Sequence, residues 1–266
     1  MSTSKIYERT IYDKNELPYV LNVITEYDLS KANISALRYY NIINDEDYNI
    51  LLSMPKKVRE LNIGMMIKKD ISVFKHIKNG IIKAKELFFN INNIEDREVL
   101  SIKNDAIFLM GTRNIQCNVN ELFTFVPKNT YTFYMKSMHL QIFYGYNQIT
   151  NSEVLDIKGI KDTQLEYHRD YMVNFLCSLM YMIQNNTIED TIQYYNNFYE
   201  QYINRKLPIG YYREFNATSK FKVGRYLLDH IDSSYINMID INTNIYLLRD
   251  IFAVLSDIYF NNKNRR

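Results

Sequence analysis

The chain has 266 residues, 47% of them hydrophobic, with 32 basic and 30 acidic side chains and a formal charge of +2. That size supports a substantial core in one large or two smaller domains, and the near-neutral balance excludes a protein that holds nucleic acid by global charge, so any basic groove has to be local. The two cysteines, Cys117 and Cys177, stand far apart, which excludes a disulfide framework, a zinc ribbon and a redox CxxC motif.

Met1 to Arg9 is polar and charged, and the most apolar stretches, Asn174 to Ile183 and Ile245 to Phe260, are short or interrupted by Arg249, Asp250 and Asp257. Neither a secretory signal nor a membrane span is expected, and the predicted compartment is the cytoplasm, a host's cytoplasm if the source is viral. The wealth of Asn, Ile, Lys and Tyr, with seven glycines and no tryptophan, fits an AT-rich genome: a virus, phage, plasmid or low-GC bacterium.

Along the chain, Pro18 to Tyr27 has the β-branched and aromatic content of a strand, which places Asp28 at its exit, before a short helix over Lys31 to Tyr40. Asn44, followed by Asp45, Glu46 and Asp47, predicts a capped helix start. A second helix follows Pro55, with Lys56, Lys57 and Arg59 in first turns where cations run against the helix dipole. Asp70 caps an amphipathic run with Ile71, Phe74, Ile77, Ile81, Ala84 and Phe88 at helical spacing, expected to lie across a sheet. Glu98 to Lys103, the Asn104-Asp105 tip and Ala106 to Met110 predict a β-hairpin.

Four more strand-like runs follow, Leu122 to Val126, Thr130 to Met135, His139 to Tyr144 and Glu153 to Lys158, and the sheet is expected to end near Gly159. Beyond it, Thr163 to Gln184, Thr187 to Arg205 (Thr187 the N-cap) and Asn242 to Asn261 predict helices, with a linker over Pro208 to Lys222.

Two acidic residues therefore leave hydrophobic strands, at Asp28 and Asp105, with a lysine-bearing helical insert between them. Phosphoryl transfer uses such a set. Two carboxylates at neighbouring strand ends can hold a pair of Mg²⁺ ions about 3.5 to 4 Å apart, and cations on a facing helix can grip a triphosphate.

The residues around these positions resemble a family. EYDLSKANIS (Glu26 to Ser35) resembles motif A of family B DNA polymerases, a strand followed by DxxSLYPS, with Asp28 at the metal-binding position. KVRELNIG (Lys57 to Gly64) is similar to the KxxxNSxYG motif of their fingers helix, and VLSIKNDAIFL (Val99 to Leu109) to the YxDTDS hairpin, with Asp105 matching its second aspartate. LDIKGIKDTQLEYH (Leu155 to His168) is similar to the KKxY/KxG region where palm meets thumb.

The resemblance covers about residues 18–185 and implies an α+β fold: a palm-like antiparallel sheet with packed helices over 1–160, a fingers-like helical insert over about 44–92, and a helical thumb-like subdomain over 161–266, without the exonuclease domain. It implies a template-directed nucleotidyltransferase in viral or phage replication, working on primer-template and nucleoside triphosphates with Mg²⁺ or Mn²⁺, alone or with other subunits of a viral replication complex. Asp28 and Asp105 would ligate metal. Lys57, with Arg59 and Asn62, would hold the triphosphate, Asn33 would stand at the sugar-selecting position, and Lys158, Gly159 and Lys161 would contact the duplex.

The chain departs from the pattern at Lys31, Asn33 and Ile34 in motif A, at Lys103 and Ala106 in the hairpin, and by one extra residue and a missing tyrosine in the fingers motif. With Asn33 in place of the sugar-excluding tyrosine, an active enzyme should discriminate poorly between ribose and deoxyribose. Plainer roles fit the same residues: Asp28 or Ser30 as a helix N-cap, Asp105 as a turn residue, and Lys56, Lys57 and Arg59 as a solvated helix face. Tyr131, Phe133, Tyr134, Phe143, Tyr144 and Tyr146 fit core and cross-strand packing better than base stacking. The four histidines, His76, His139, His168 and His230, lack zinc spacing, and no glycine-cradled phosphate motif occurs. Two rivals therefore stand beside the enzyme: a non-catalytic nucleic-acid-binding or assembly subunit of a viral replication or transcription complex, and a structural virion protein.

Overall fold

The computed structural model describes residues 5–137, 140–147, 150, 152–215 and 218–263. His139, which opens one of the expected strands, lies outside them, as do the outer ends of the expected palm and thumb. Two units emerge: Met1–Lys14, Val23–Thr130 and Asn147–Thr150 form the first, and Asn15–Asn22, Tyr131–Tyr146 and Asn151–Arg266 the second.

The first unit holds β1 (Ile11–Asp13), most of β2 (Tyr19–Leu29), α1 (Ala32–Tyr39), α2 (Asp45–Ser53), α3 (Lys56–Lys69), α4 (Ser72–Asn92), β3 (Val99–Lys103), β4 (Ala106–Met110) and the start of β5 (Phe125–Lys136). Its strands run β1-β3-β4-β2, all antiparallel. The β3–β4 hairpin turns where expected, because Asn104 accepts the left-handed conformation (φ 55°) that a two-residue tip needs. Asn44 caps α2 by accepting the Asp47 N–H at 2.8 Å, and the Asp70 carboxylate accepts the Ser72 N–H at 2.8 Å as α4 begins.

Helix α4 lies across the sheet as its periodicity predicts. Ala84, Phe88 and Phe89 pack on Tyr27 and Leu29 of β2, Val99 and Ile102 of β3, and Ile107 and Leu109 of β4. Its neighbour α1 approaches so closely that a Cβ on Gly80 would lie 2.3 Å from the Ala36 Cβ, so glycine is required there for steric reasons. A smaller core of Ile34, Leu37, Ile43, Leu51, Ile63, Val73 and Ile77 ties α1, α2, α3 and α4 together.

The second unit holds the rest of β2 and β5, β6 (Gln141–Asn147) up to Tyr146, β7 (Glu153–Ile157), α5 (Asp162–Tyr167), α6 (Asn174–Asn185), α7 (Ile188–Ile203), β8 (Phe221–Val223), β9 (Tyr226–Leu228) and α8 (Asn242–Lys263). Strands β6 and β7 are antiparallel, from Ile142 opposite Ile157 to Tyr146 opposite Glu153. The helices close on an aromatic core in which Phe175 and Phe198 stack with centroids 3.5 Å apart. Thr187 caps α7 as expected, accepting the Asp190 N–H at 3.1 Å.

The result is α+β with an antiparallel sheet and packed helices, and it differs from expectation in four places. The end of the run expected at 122–126 and the whole of that at 130–135 are one strand, β5, which starts at Phe125, because the fixed φ of Pro127 is compatible with extended backbone. The helix expected over Thr163 to Gln184 is split by a π-helical turn at Arg169–Val173, where Tyr171 leaves helical geometry. The linker expected over Pro208 to Lys222 runs into β8, which pairs with β9. The three-residue β1 joins the sheet edge unannounced. Tyr131, Phe133, Tyr134, Phe143 and Tyr144 are core residues, whereas Tyr146 is 44% exposed. Among the described residues no helix is long and apolar enough to cross a membrane.

Candidate active site at the ends of β2 and the hairpin

Strand β2 alternates strictly where it matters. Tyr27 and Leu29 face α4, which leaves Glu26 and Asp28 on the other side of the sheet. In the β2–β4 pairing Asp28 stands opposite Ala106, the residue after Asp105, and the Leu29 N–H donates to the Asp105 carbonyl at 3.3 Å. Two aspartates distant in sequence thus stand at one end of adjacent antiparallel strands.

Asp28 is half-buried, and its carboxyl is held above the ordinary carboxylate range. Burial is the main cause and the charge of Asp105 the next, with Glu26 adding to it and Lys128 and Lys56 opposing. No side chain caps α1, whose N-cap position is Lys31 in left-handed backbone, so the Asp28 carboxylate is not used as a cap.

Glu26 joins these residues without having been singled out in the sequence. It is 5% exposed, receives a hydrogen bond from Asn129 Nδ2 at 2.9 Å and faces Lys128 Nζ at 3.8 Å. Asn129 is itself fixed by Asn147, whose Nδ2 donates to its Oδ1 at 2.8 Å. The available signal was spacing: two positions from Asp28 in a strand is the same face.

Asp105 also lines a cavity of about 460 Å³ with Asn33, Thr10, Phe74, Lys78 and Asn104. The Asp105 charge also acts on Lys85, a fully buried lysine on the apolar face of α4. Its ammonium donates to the Arg9 carbonyl at 2.5 Å, burial pushes its pKa down to about 8, and the Asp105 charge pulls the other way. Its signal too was present, a lysine between Ala84 and Phe88 in an otherwise apolar stripe.

The basic residues at the head of α3 divide. Of the α3 residues it is Lys56 whose charge acts on Asp28, from an exposed position where it pairs with Glu60 at 3.9 Å. Lys57, one residue and about 100° further round the helix, is exposed, Arg59 is half-buried, and Asn62 donates to the Val58 carbonyl at 2.9 Å and to the Met54 sulfur at 3.5 Å. Lys103, at the hairpin position where the resembled motif has its first aspartate, faces Asp13 at 4.0 Å.

In the second unit Lys158 is ion-paired with Asp156 and sits 5.3 Å from the centroid of the Phe143 ring. Gly159 follows with φ 95°, a turn conformation that glycine adopts freely, and Lys161 is exposed at the start of α5.

Among the described residues no group of three or more His, Cys, Asp or Glu side chains is arranged to hold a metal ion. Burial and the Asp105 charge together disfavour ionisation of Asp28.

Residues 1–257 match the family described as Bacteriophage PBS1 gene 130 protein, and the chain belongs to that family. No curated protein matches it.

Proposed function

We propose that this phage-family chain is a palm-type, template-directed nucleotidyltransferase acting on primer-template and nucleoside triphosphates in the infected host's cytoplasm. The observation that supports it is the position of Asp28 and Asp105 at one end of the β2–β4 pair, with α1 to α4 between them in the chain. In this reading Asp28 and Asp105 hold Mg²⁺ or Mn²⁺, which when bound supplies activation of the attacking hydroxyl and neutralises charge on the leaving group.

The chain's own residues bind and orient. Lys56 and Lys128, whose charges act on Asp28, attract the triphosphate, and Lys57, Arg59 and Asn62 extend that surface along α3. Asn33, which lines the same cavity as Asp105, is short enough to leave space for a ribose 2′-hydroxyl. Lys158, Gly159 and Lys161 contact the duplex backbone from the second unit.

A second reading, the non-catalytic nucleic-acid-binding or assembly subunit of a viral replication or transcription complex, draws support from Lys103, which is occupied by Asp13 where the resembled hairpin carries an acid.

The test is extension of a labelled primer on DNA and RNA templates with Mg²⁺ or Mn²⁺, comparing the wild type with Asp28→Asn and Asp105→Asn. The expected result is extension that accepts ribonucleotides and is abolished by either substitution. Extension unaffected by both would sink the assignment of the site. Primer-template binding without extension in all three proteins would favour the second reading, and neither binding nor extension would leave a structural role.

A further inference from the structure

Helix α3 is apolar on two opposite sides. Ile63 is buried, and Met66 and Ile67 pack with it into the small helical core. At about 100° per residue the opposite side carries Val58, Leu61 and Met65, spaced i, i+3, i+7 and exposed by 43%, 69% and 56%. A helix with apolar residues on both sides is ordinarily covered on both. Lys57 and Lys68 border the exposed stripe on one flank and Lys69 on the other, and all three are exposed. The surroundings share this sign: residues 56–85 hold nine basic and two acidic side chains, although the whole chain is only +2.

We infer that this face of α3 docks an amphipathic helix from another protein, one that presents an apolar stripe flanked by Asp and Glu. The 3-4 spacing of the stripe is that of a coiled-coil seam, and helix-in-groove partners are read by such anchors. Lysines on both flanks stand where flanking charges select the partner, so an acidic helix is attracted and a basic one repelled. The same lysines argue against a second copy of this chain, because a two-fold contact would set like charges together. The stripe is aliphatic, with no aromatic ring on which a base could stack, which argues against single-stranded nucleic acid.

Lys56 is exposed, pairs with Glu60 at 3.9 Å and lies about 140° round the helix from Leu61, so a partner on the stripe leaves it uncovered. Lys57 serves both this inference and the nucleotidyltransferase reading, and the test here varies Leu61 and Met65 and involves no catalysis.

The test is fluorescence anisotropy of a labelled three-heptad peptide with Leu at the a and d positions and Glu at e and g. The wild-type chain should bind it saturably and less tightly at higher salt. The double variant Leu61→Asp, Met65→Asp should lose at least about tenfold in affinity, with an unchanged circular dichroism spectrum and melting temperature because both side chains are exposed. A peptide with Lys in place of Glu should not bind. Absence of binding to the acidic peptide, equal binding of the lysine peptide, or unchanged affinity in the double variant would each overturn the inference. So would a wild-type dimer in sedimentation that the double variant abolishes, which would make the occupant a second copy, or oligothymidine binding that the double variant abolishes, which would make it nucleic acid.

Discussion

His168 makes acid lability a quantitative expectation. It is fully buried between α5 and the π-helical turn, its ring lies edge-on to Phe215 at 4.8 Å, and neither ring nitrogen has a well-formed hydrogen bond. Burial first and the Arg213 charge second hold its pKa at about 4, against an ordinary 6.5, while the nearby Glu214 backbone opposes the shift. Between those values the unfolded chain binds a proton at this site and the folded protein does not. Stability present above pH 6.5 is therefore lost as the pH falls, and the loss from this group is complete below about pH 4. At about 1.4 kcal/mol per pH unit the gap corresponds to about 3 kcal/mol. Acids with lowered pKa, such as Asp70, Asp232 and Asp240, add their own acid lability, so the comparison has to be differential. Urea denaturation of the wild type and His168→Phe at pH 7.5, 5.5 and 4 isolates the histidine. The variant should lose about 3 kcal/mol less across that range, and parallel pH profiles for the two proteins would refute the reasoning.

Asp28 acts in the opposite direction: its raised pKa makes the ionised form a liability to the fold, so Asp28→Asn should raise the melting temperature at neutral pH and narrow that gain in acid, while removing any metal-dependent activity. Gly80→Ala should destabilise by about 1 to 3 kcal/mol in thermal or urea melts, since the new methyl would overlap the Ala36 Cβ and approach its Cα to 2.7 Å. Asn244 is buried, donates to the Tyr211 and Arg213 carbonyls at 3.3 and 2.7 Å, and accepts the Phe215 N–H at 3.0 Å. Asn244→Ala should cost about 2 to 4 kcal/mol by leaving these backbone groups without partners, and it should do so in urea melts without altering peptide binding at α3.

Elements with chemical punctuation were legible in the sequence. Asn44, Asp70 and Thr187 mark helix starts because their side chains satisfy free backbone N–H groups, and Asn104-Asp105 marks a hairpin because asparagine tolerates positive φ. Strands β1, β8 and β9 have three residues each, too few for alternation to register, and their pairing depends on partners elsewhere in the chain. The π-helical turn has no local marker either. It occurs where Tyr171 lies against Gly210, whose missing Cβ leaves space for the ring, a contact set by tertiary packing.

The candidate site divides along the same physical line. Asp28 and Asp105 could be found because a charge at the end of an apolar strand is conspicuous, and strand pairing then brings them together without further information. Glu26, Lys85 and the choice between Lys56 and Lys57 are different, because each depends on which way a side chain faces. In a helix a shift of one residue is a rotation of about 100°, enough to exchange one side of α3 for another. The apolar residues of α3 do not settle that rotation, since Ile63 and Met66 argue for one side and Leu61 and Met65 for the other. Packing against the core of α1, α2 and α4 settles it instead, and in doing so leaves Leu61 and Met65, with their lysine flanks, uncovered.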